Sequence, residues 1–315
     1  MALMAVHTAL LFPGQGSQAV GMGRALAETY PVARQIFAEG DQILGFPLSQ
    51  IAWEGPAEQL DDTINTQPAL FVHSIASLRV FQEHIPGFKP AFLAGHSMGE
   101  LSALVAAGSL TFADGLRLVR QRGELMKQAG QVSPGGMAAI LGLDIPTLES
   151  LCEQASQADE VVQVANDNCP GQVVISGAKP ALERAIQLAQ AAGARRTIPL
   201  AVSIAAHSPL MAYAQADFNL AVDTAPIEDP SIPPIGNVNA KPLHTADEVR
   251  ADLQAQLNSR VRWTESIQRM QQEGINTYIE LGSGNVLSGL VKRIDREAQT
   301  ITAGTPEDFI RLTET

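Results

Sequence analysis

The chain has 315 residues, of which 45% are hydrophobic and 17% are charged, a composition typical of one large folded unit or two smaller ones. Its formal net charge of −12 argues against nucleic-acid binding, which needs a basic surface. No apolar run approaches the roughly 20 residues that span a bilayer, and no signal-like segment is present, so we expect a cytoplasmic protein without membrane contact. Two cysteines, Cys152 and Cys169, are too few for a disulfide framework or a metal-binding quartet.

The first third of the chain alternates predicted strands and helices. The apolar run HTALLF, His7 to Phe12, ends at a Pro-Gly pair and is predicted to be a buried strand. A second run of the same form, Pro90 to Gly95, leads into the string GHSMGE. The helix-forming segment that follows it is expected to stop at Gly108, a residue that commonly caps helix C-termini. This alternation predicts an α/β layered fold with a mostly parallel sheet.

A longer helix is predicted after Thr111, whose side chain can form a capping box with Asp114. At about 100° per residue, Arg120 and Arg122 lie roughly 80° to either side of the apolar face, and Arg117 points away from it. That apolar face contains Phe112, Leu116, Val119 and Met126. Either Arg120 or Arg122 could therefore reach into a cleft, and the spacing alone does not choose between them.

The middle of the chain predicts a separate unit. Its six segments are predicted to be a strand, a helix, two strands, a helix and a strand. In chain order they are GMAAILGL, IPTLESLCEQAS, EVVQVAN, GQVVISG, KPALERAIQLAQAAG and RRTIPLAV. This order is the ferredoxin-like β-α-β-β-α-β arrangement, expected over residues 134–200. The large domain would then be discontinuous, formed by residues 1–133 and 201–315. The proline-rich segment Thr224 to Pro234 is predicted to be a rigid loop within it.

Ser97 lies in the pattern G-x-S-x-G, the nucleophile elbow of α/β-hydrolase-like folds. There a strand turns so sharply into a helix that only glycine fits on either side, which exposes the serine hydroxyl. The N-terminus of the following helix lies where negative charge would develop on an attacked carbonyl oxygen. Five residues of pattern also fit an ordinary helix cap, so the elbow is a hypothesis that needs a base beside the serine.

His207 is the best candidate for that base. It follows the apolar stretch AVSIAA, where small residues allow close approach to another group. His96 adjoins the serine, but neighbouring side chains across a strained turn point apart, so we reject it as the base. The remaining histidines are expected at a strand start, in or at the end of a helix, and in a polar loop, and they are His7, His73, His84 and His244.

Six strings occur in the order and spacing of the malonyl-CoA:acyl-carrier-protein transacylases, and the chain resembles that family from residue 11 to residue 293. These strings are LFPGQGSQAVGMG, GHSMGE, RQRGELM, NCPGQVVISG, AVSIAAHSPLM and ELGSGNVLSGLVKR. The resemblance implies an α/β-hydrolase-like large domain with an inserted ferredoxin-like unit. It also implies a reaction in which a malonyl group moves from coenzyme A to a serine and then to the thiol of a carrier protein.

The resemblance assigns roles to individual residues. Ser97 would be the nucleophile, and His207 the general base and acid. The backbone N–H groups of Gln15 and Met98 would form the oxyanion hole, where each donor is typically worth about 100- to 1,000-fold in rate. Arg122 would bind the malonyl carboxylate through two parallel hydrogen bonds.

In this family a backbone carbonyl orients the histidine, and the matching position is expected to be Arg262 in RVRWTES. His96 would pack and hydrogen-bond near the site. Two departures from the family pattern are Met98, where leucine is common, and the small pair Ala205 and Ala206 before the histidine, which leaves the choice of acyl group open.

The expected partners are malonyl-CoA as substrate and an acyl carrier protein, with no cofactor and a monomeric chain. Because carrier proteins are acidic, paired basic residues are the docking candidates, namely Lys292, Arg293, Arg195 and Arg196. Two other functions stay open. A serine hydrolase could use the same elbow, although no HGGG string is present, and a non-catalytic carrier-protein partner could keep the fold without the chemistry.

Overall fold

The structure is a computed structural model and describes residues 5–314. Within them lie nine strands: β1 Thr8–Phe12, β2 Phe92–Gly95, β3 Gly135–Leu141, β4 Val162–Cys169, β5 Gln172–Ala178, β6 Arg196–Pro199, β7 Pro234–Ile235, β8 Thr277–Leu281 and β9 Gln299–Ala303. They form two sheets. The predicted α/β fold class, with a parallel sheet and a second antiparallel sheet, is confirmed.

The five-stranded sheet has the order β7-β2-β1-β8-β9, and every pairing in it is parallel. All five residues of β1 and all five of β8 are buried, as expected for central strands covered on both faces. Phe12 pairs with Gly95, so β1 and β2 end at the same edge of the sheet. The loops that follow them, which carry Gln15 and Ser97, therefore meet there, at the edge where α/β sheets bind ligands.

The four-stranded antiparallel sheet has the order β4-β5-β3-β6. Together with two helices it gives the β-α-β-β-α-β order that the sequence predicted, with α8 at Ile145–Ala155 and α9 at Lys179–Ala191. The two helices pack on one face of the sheet around an apolar cluster that includes Ile140 and Ile175. The boundaries proposed for this unit, 134–200, and for the large unit around it stay predictions.

The other helices surround the parallel sheet. They are α1 Arg24–Thr29, α2 Pro31–Leu44, α3 Leu48–Glu54, α4 Ala57–Asp61, α5 Thr63–His84, α6 Gly99–Ala106, α7 Phe112–Val132, α10 Ala212–Thr224, α11 Ala246–Gln256, α12 Trp263–Gln272, α13 Val286–Ile294 and α14 Pro306–Glu314. Helix α5 is buried along most of its length, because α7, α2 and α6 cover it. Thr111 caps α7 by accepting from the Asp114 N–H at 3.1 Å, as the sequence predicted.

Apolar burial separates into clusters on the two faces of the parallel sheet and one in the small unit. Cys152 and Cys169 are both buried and unbridged. Between residues 5 and 314, none of the helices combines the length and the apolar character that a bilayer crossing demands. The segment 225–233 runs irregularly between α10 and β7, as its prolines predicted.

Candidate active site

Ser97 lies at a sharp turn between the end of β2 and the start of α6. Its φ of 52° places it in the left-handed region, which is uncommon for a residue with a side chain. The turn brings the backbone of Gly95 against that of Gly99, so a Cβ on Gly95 would lie 2.0 Å from the Gly99 carbonyl group. A Cβ on Gly99 would lie 2.2 Å from the carbonyl oxygen of Phe12. Both glycines of the G-x-S-x-G pattern are therefore required by close backbone contacts.

The turn brings the Ser97 hydroxyl to His207. Ser97 Oγ and His207 Nε2 are 2.8 Å apart, although 110 residues separate them in the chain. The opposite ring nitrogen, Nδ1, lies 2.9 Å from the carbonyl oxygen of Gln256. Because a carbonyl can only accept, Nδ1 carries the proton and Nε2 has its lone pair directed at the serine hydroxyl. This pair has the arrangement in which a neutral imidazole removes a serine proton.

The prediction that the Arg262 carbonyl orients the histidine is wrong. Arg262 precedes the first turn of α12, and its carbonyl accepts the N–H of Ser266 at 2.9 Å. Gln256 instead ends α11, and the last carbonyls of a helix have no partner within it. One of these is therefore available to His207.

Burial and charge keep His207 neutral. The residue is 2% exposed, and burial, together with the positive charge of Arg122, lowers the pKa of its imidazole to about 3. The Gln256 carbonyl opposes this by stabilising the protonated ring. In the free protein the imidazole is therefore unprotonated and able to accept a proton over the whole physiological range.

Arg122 is the arginine that faces the site. It is 1% exposed and donates to the side-chain oxygens of Gln67 at 2.7 Å and Gln256 at 2.8 Å. Its Nη2 also lies 3.2 Å from Ser97 Oγ. Burial lowers the pKa of the guanidinium to about 10, so it remains charged at neutral pH. All three of these contacts are to uncharged groups, so among residues 5–314 no carboxylate is bonded to this buried cation.

Arg120, the alternative from the helix pattern, turns to another side. It pairs with Glu124 at 2.6 Å, donates to the carbonyl of Ile64 at 2.8 Å and lies over the ring of Phe46. It does not line the cavity at Ser97. The two residues that the sequence could not separate are thus distinguished by their surroundings.

Gln15 and Met98, the predicted oxyanion-hole residues, both line the cavity that contains Ser97. Neither backbone N–H donates to another group within residues 5–314, whereas the Ser97 N–H is bonded to Asn237 Oδ1 at 2.7 Å. Met98 is the residue directly before α6, so its N–H belongs to the positive end of that helix. These two donors are therefore available to a bound oxygen.

The cavity has a volume of about 380 Å³ and lies between the two units of the fold. The large unit contributes the residues described above, and the small unit contributes Met137, Asn166, Asn168 and Val174. Gln163 of β4 connects the units, since its amide donates to the carbonyls of His207 at 2.8 Å and Asn258 at 3.0 Å. The antiparallel sheet thus forms one wall of the site and also supports the histidine.

His96 lies at the edge of the cavity and is not bonded to the Ser97 hydroxyl. Its Nε2 is 2.8 Å from Asn168 Oδ1, its ring packs edge-on against Trp263, and burial lowers its pKa. The other four histidines do not line the cavity. His73, for example, is buried in α5 against the carbonyl of Gly304.

The four basic docking candidates are exposed and lie outside the cavity lining. Arg195 and Arg196 stand at the start of β6, whose other end leads into the cavity residue Leu200. Lys292 and Arg293 lie in the last turn of α13, and Arg293 donates to Gln172 of β5. The structure therefore presents two separate basic pairs, one on each unit.

Sequence reasoning missed three uncharged residues that hold the site together. Gln256 contacts both His207 and Arg122, Gln67 contacts Arg122, and Asn237 accepts from the Ser97 N–H. Amide side chains in helices and loops carry no pattern that marks them as functional. Only the positions of α5, α11 and the loop after β7 in the fold bring them to the serine.

Comparison with known proteins finds similarity over nearly the whole chain. The family model described as acyl transferase domain matches residues 9–304. The malonyl CoA-acyl carrier protein transacylase of Bacillus subtilis (strain 168) is 47% identical over 299 residues, which are 95% of this chain and 94% of the relative. The corresponding protein of Escherichia coli (strain K12) is 46% identical over 94% of each chain.

Solved structures agree with this. An acyl carrier protein S-malonyltransferase from Vibrio cholerae superimposes with a TM-score of 0.93 at 42% identity, covering 97% of this chain and 99% of that one. A malonyl-transacylase solved in complex with its type II PKS acyl-carrier protein has a TM-score of 0.94 at 40% identity, covering 98% and 99% of the two chains.

Proposed function

The chain belongs to the acyl transferase domain family, and from that premise we propose that it transfers a malonyl group from malonyl-CoA to the phosphopantetheine thiol of an acyl carrier protein. The reaction passes through an acyl-enzyme on Ser97. Malonyl-CoA is a substrate in this scheme, and the chemistry needs no further cofactor. Relatives with this activity in their names match nearly the full chain.

The observation that carries the proposal is the buried Arg122 beside Ser97. Within the described part of the chain this desolvated guanidinium is bonded to amide and hydroxyl oxygens, and it favours an anionic ligand because burial without a counter-charge is costly. Its planar fork matches a carboxylate. A malonyl group carries a free carboxylate close to the thioester carbon that Ser97 would attack. Simple acyl groups such as acetyl lack that carboxylate.

The first half-reaction follows from the geometry of the pair. His207 Nε2 takes the proton from Ser97 Oγ as that oxygen bonds to the thioester carbon of malonyl-CoA. The N–H groups of Gln15 and Met98 bind the oxyanion of the tetrahedral intermediate. The intermediate then collapses, its C–S bond breaks, and His207 returns the proton to the coenzyme A thiolate.

The second half-reaction uses the same groups in the opposite direction. The carrier-protein thiol gives its proton to His207, and its sulfur attacks the serine ester. The C–O bond to Ser97 breaks, and His207 reprotonates the departing Oγ. The Gln256 carbonyl stabilises the imidazolium in both halves, since it accepts from Nδ1 throughout.

Intact-mass spectrometry tests the proposal directly. The protein is mixed with malonyl-CoA, its mass is recorded, and holo acyl carrier protein is then added. We expect a gain of one malonyl group that passes to the carrier protein. Release of malonate into water without transfer would show a serine hydrolase, and no mass gain at all would show a non-catalytic partner.

The acid limit of the loading reaction should reflect the lowered pKa of His207. A base with a pKa near 3 stays unprotonated far below 6.5, so at low malonyl-CoA the rate should stay level from pH 7 to well below 6.5. A bound malonyl carboxylate offsets the charge of Arg122 and so raises the pKa of His207. At saturating malonyl-CoA the loss of rate should therefore begin at higher pH. Stopped-flow loading measured at both concentrations checks this, and an acid limit at 6.5 at low malonyl-CoA would contradict it.

Reversing the charge of a docking pair should slow transfer to the carrier protein and leave loading from malonyl-CoA unchanged. We expect roughly a tenfold loss at low salt from Lys292→Glu with Arg293→Glu, because rim charges act mainly on the association rate. The same charge reversal at Arg195 and Arg196, on the other unit, is the matched comparison for the Lys292 and Arg293 variant. Rates of both half-reactions are measured for each double variant. Unchanged transfer in both would remove these residues as the docking surface.

A further inference from the structure

Two carboxyl groups are buried together beneath the elbow. Glu100, in the first turn of α6, is fully buried, and Asp252 of α11 is 3% exposed. Their side chains lie within hydrogen-bonding distance of each other. Two carboxylates in contact inside a protein do not both remain charged, because their repulsion and desolvation favour binding of a proton between them.

The contacts of each group favour Glu100 as the one that holds the proton. Asp252 accepts the backbone N–H groups of Asn237 at 3.1 Å and Val238 at 3.3 Å, so its oxygens face donors, as an anion requires. Glu100 Oε2 accepts from the amide of Gln256. Its Oε1 is buried and accepts from no group within residues 5–314. A proton carried by Glu100 can be donated to Asp252, with which it shares a side-chain hydrogen bond. Burial and the neighbouring Asp252 also raise the pKa of Glu100 well above its usual value.

The pair anchors both backbone groups of Ser97. On one side, Asp252 holds the backbone of Asn237, whose side chain accepts the Ser97 N–H at 2.7 Å and donates to the Gly95 carbonyl at 2.8 Å. On the other side, Glu100 holds the amide of Gln256, whose Nε2 also lies 3.2 Å from the Ser97 carbonyl. A serine with a left-handed backbone conformation persists only where its surroundings hold it from several directions, and the contacts through Asn237 and Gln256 do so.

We propose that Glu100 and Asp252 form a positioning pair that shares one proton, held by Glu100, and that fixes the amides of Gln256 and Asn237 in the orientation required by the nucleophile. Because Glu100 accepts from Gln256 Nε2, the amide oxygen of Gln256 is directed at Arg122. The same residue supplies its carbonyl to His207. One proton below the elbow thereby sets the orientation of the serine, the histidine and the arginine.

The proton also leaves the charge of Arg122 without a counter-charge from Glu100, a consequence that rests on the proposed function. An ionised Glu100 would act on the guanidinium as a counter-charge and compete with the malonyl carboxylate. A neutral Glu100 leaves that charge for the substrate. Neither Glu100 nor Asp252 lines the cavity, so both act through other residues.

The test compares Glu100→Gln, Glu100→Ala and Asp252→Asn. A glutamine reproduces the protonated acid, since its NH₂ can donate to Asp252 while its carbonyl accepts from Gln256. In Asp252→Asn, the NH₂ group of the asparagine would face a backbone N–H group, and two donors cannot form a hydrogen bond with each other. The readout is the rate at which phenylmethylsulfonyl fluoride labels Ser97, which depends on the serine and histidine and not on malonyl chemistry.

We expect Glu100→Gln to lose no more than about threefold in labelling rate, and Glu100→Ala and Asp252→Asn to lose roughly ten- to a hundredfold, the effect of leaving buried polar groups unpaired. The matched control is Glu280→Gln. Glu280 is also fully buried, but its two oxygens accept the N–H groups of Leu287 and Ser288. The same substitution there should lower Tm, whereas Glu100→Gln should not.

Infrared spectroscopy shows whether a carboxyl group is protonated. The difference spectrum of wild type minus Glu100→Gln at pH 7 should contain the C=O stretch of a protonated carboxylic acid. If Asp252→Asn does not fold, this band and the Glu100 variants decide the matter. Labelling of Glu100→Gln as slow as that of Glu100→Ala, or absence of the band, would overturn the proposal. A wild type that labels rapidly but does not transfer malonyl would instead contradict the proposed function and leave this test intact.

Discussion

Replacement of Ser97 by alanine is expected to abolish the acyl-enzyme and to lower transfer by about a millionfold, the loss that removal of the nucleophile causes in an enzyme with a serine–histidine pair. The structure gives the reason, since Ser97 Oγ is the group that both His207 Nε2 and Arg122 approach, at 2.8 and 3.2 Å. The measurement is the malonyl mass adduct together with the rate of carrier-protein acylation.

Ser102→Ala is the matched control for this variant. Ser102 lies in α6, the helix that the elbow starts, and its buried hydroxyl has no hydrogen-bond partner among residues 5–314 and does not line the cavity. We expect its adduct and transfer rate to match the wild type. If Ser97→Ala still accumulated a malonyl ester, the nucleophile would have to be another residue.

Replacement of Arg122 by alanine should lower kcat/KM for malonyl loading, with a loss of transition-state stabilisation of about 2–5 kcal/mol. This is the usual effect of removing one member of a buried hydrogen-bonded charge pair. Acetyl-CoA has no carboxylate to bind, so its slower loading should fall much less. The discrimination between malonyl and acetyl groups is therefore expected to shrink by a similar factor. Loading rates with both thioesters provide the measurement.

Arg120→Ala removes a guanidinium from the same helix and serves as the control. Arg120 pairs with Glu124 on the other side of α7 and does not line the cavity, so its loss should leave both loading rates near the wild-type values. Equal losses for malonyl and acetyl groups in Arg122→Ala would mean that the arginine has a structural role and does not bind a carboxylate.

Residues whose position follows from local pattern could be predicted from the sequence. The elbow at Ser97 is encoded by two glycines, a strand and a helix within a short segment, and the structure shows the close backbone contacts that require those glycines. The β-α-β-β-α-β order was also readable, because its strands and helices have clear apolar patterns and proline or glycine boundaries. In these parts of the chain, local interactions and the fold favour the same structure.

Residues whose position depends on distant chain segments were harder to predict. Helix periodicity placed Arg120 and Arg122 symmetrically about an apolar face, and only packing against Gln67 and Gln256 distinguishes them. The carbonyl that orients His207 was assigned to Arg262, whereas it belongs to Gln256, at the C-terminus of α11. A backbone carbonyl has no sequence signature. The prediction would have required the rule that helix C-termini leave carbonyls unpaired, together with the end of α11.

The buried carboxyl pair could not be predicted from the sequence for the same reason. Glu100 belongs to the elbow string, yet its sequence position in the first turn of a helix suggests only a favourable interaction with the helix dipole. Asp252 lies on a different helix, and nothing local connects the two residues. Their contact exists because α6 and α11 approach each other beneath the serine.

The most direct test of this account is to identify the residue that carries the malonyl group. The protein is mixed briefly with malonyl-CoA, quenched in acid, digested and sequenced by tandem mass spectrometry. A parallel sample receives holo acyl carrier protein before the quench. We expect a malonyl ester on Ser97 in the first sample, and in the second its disappearance, with malonyl on the carrier protein. A malonyl group on any other residue, or one that the carrier protein does not remove, would contradict it.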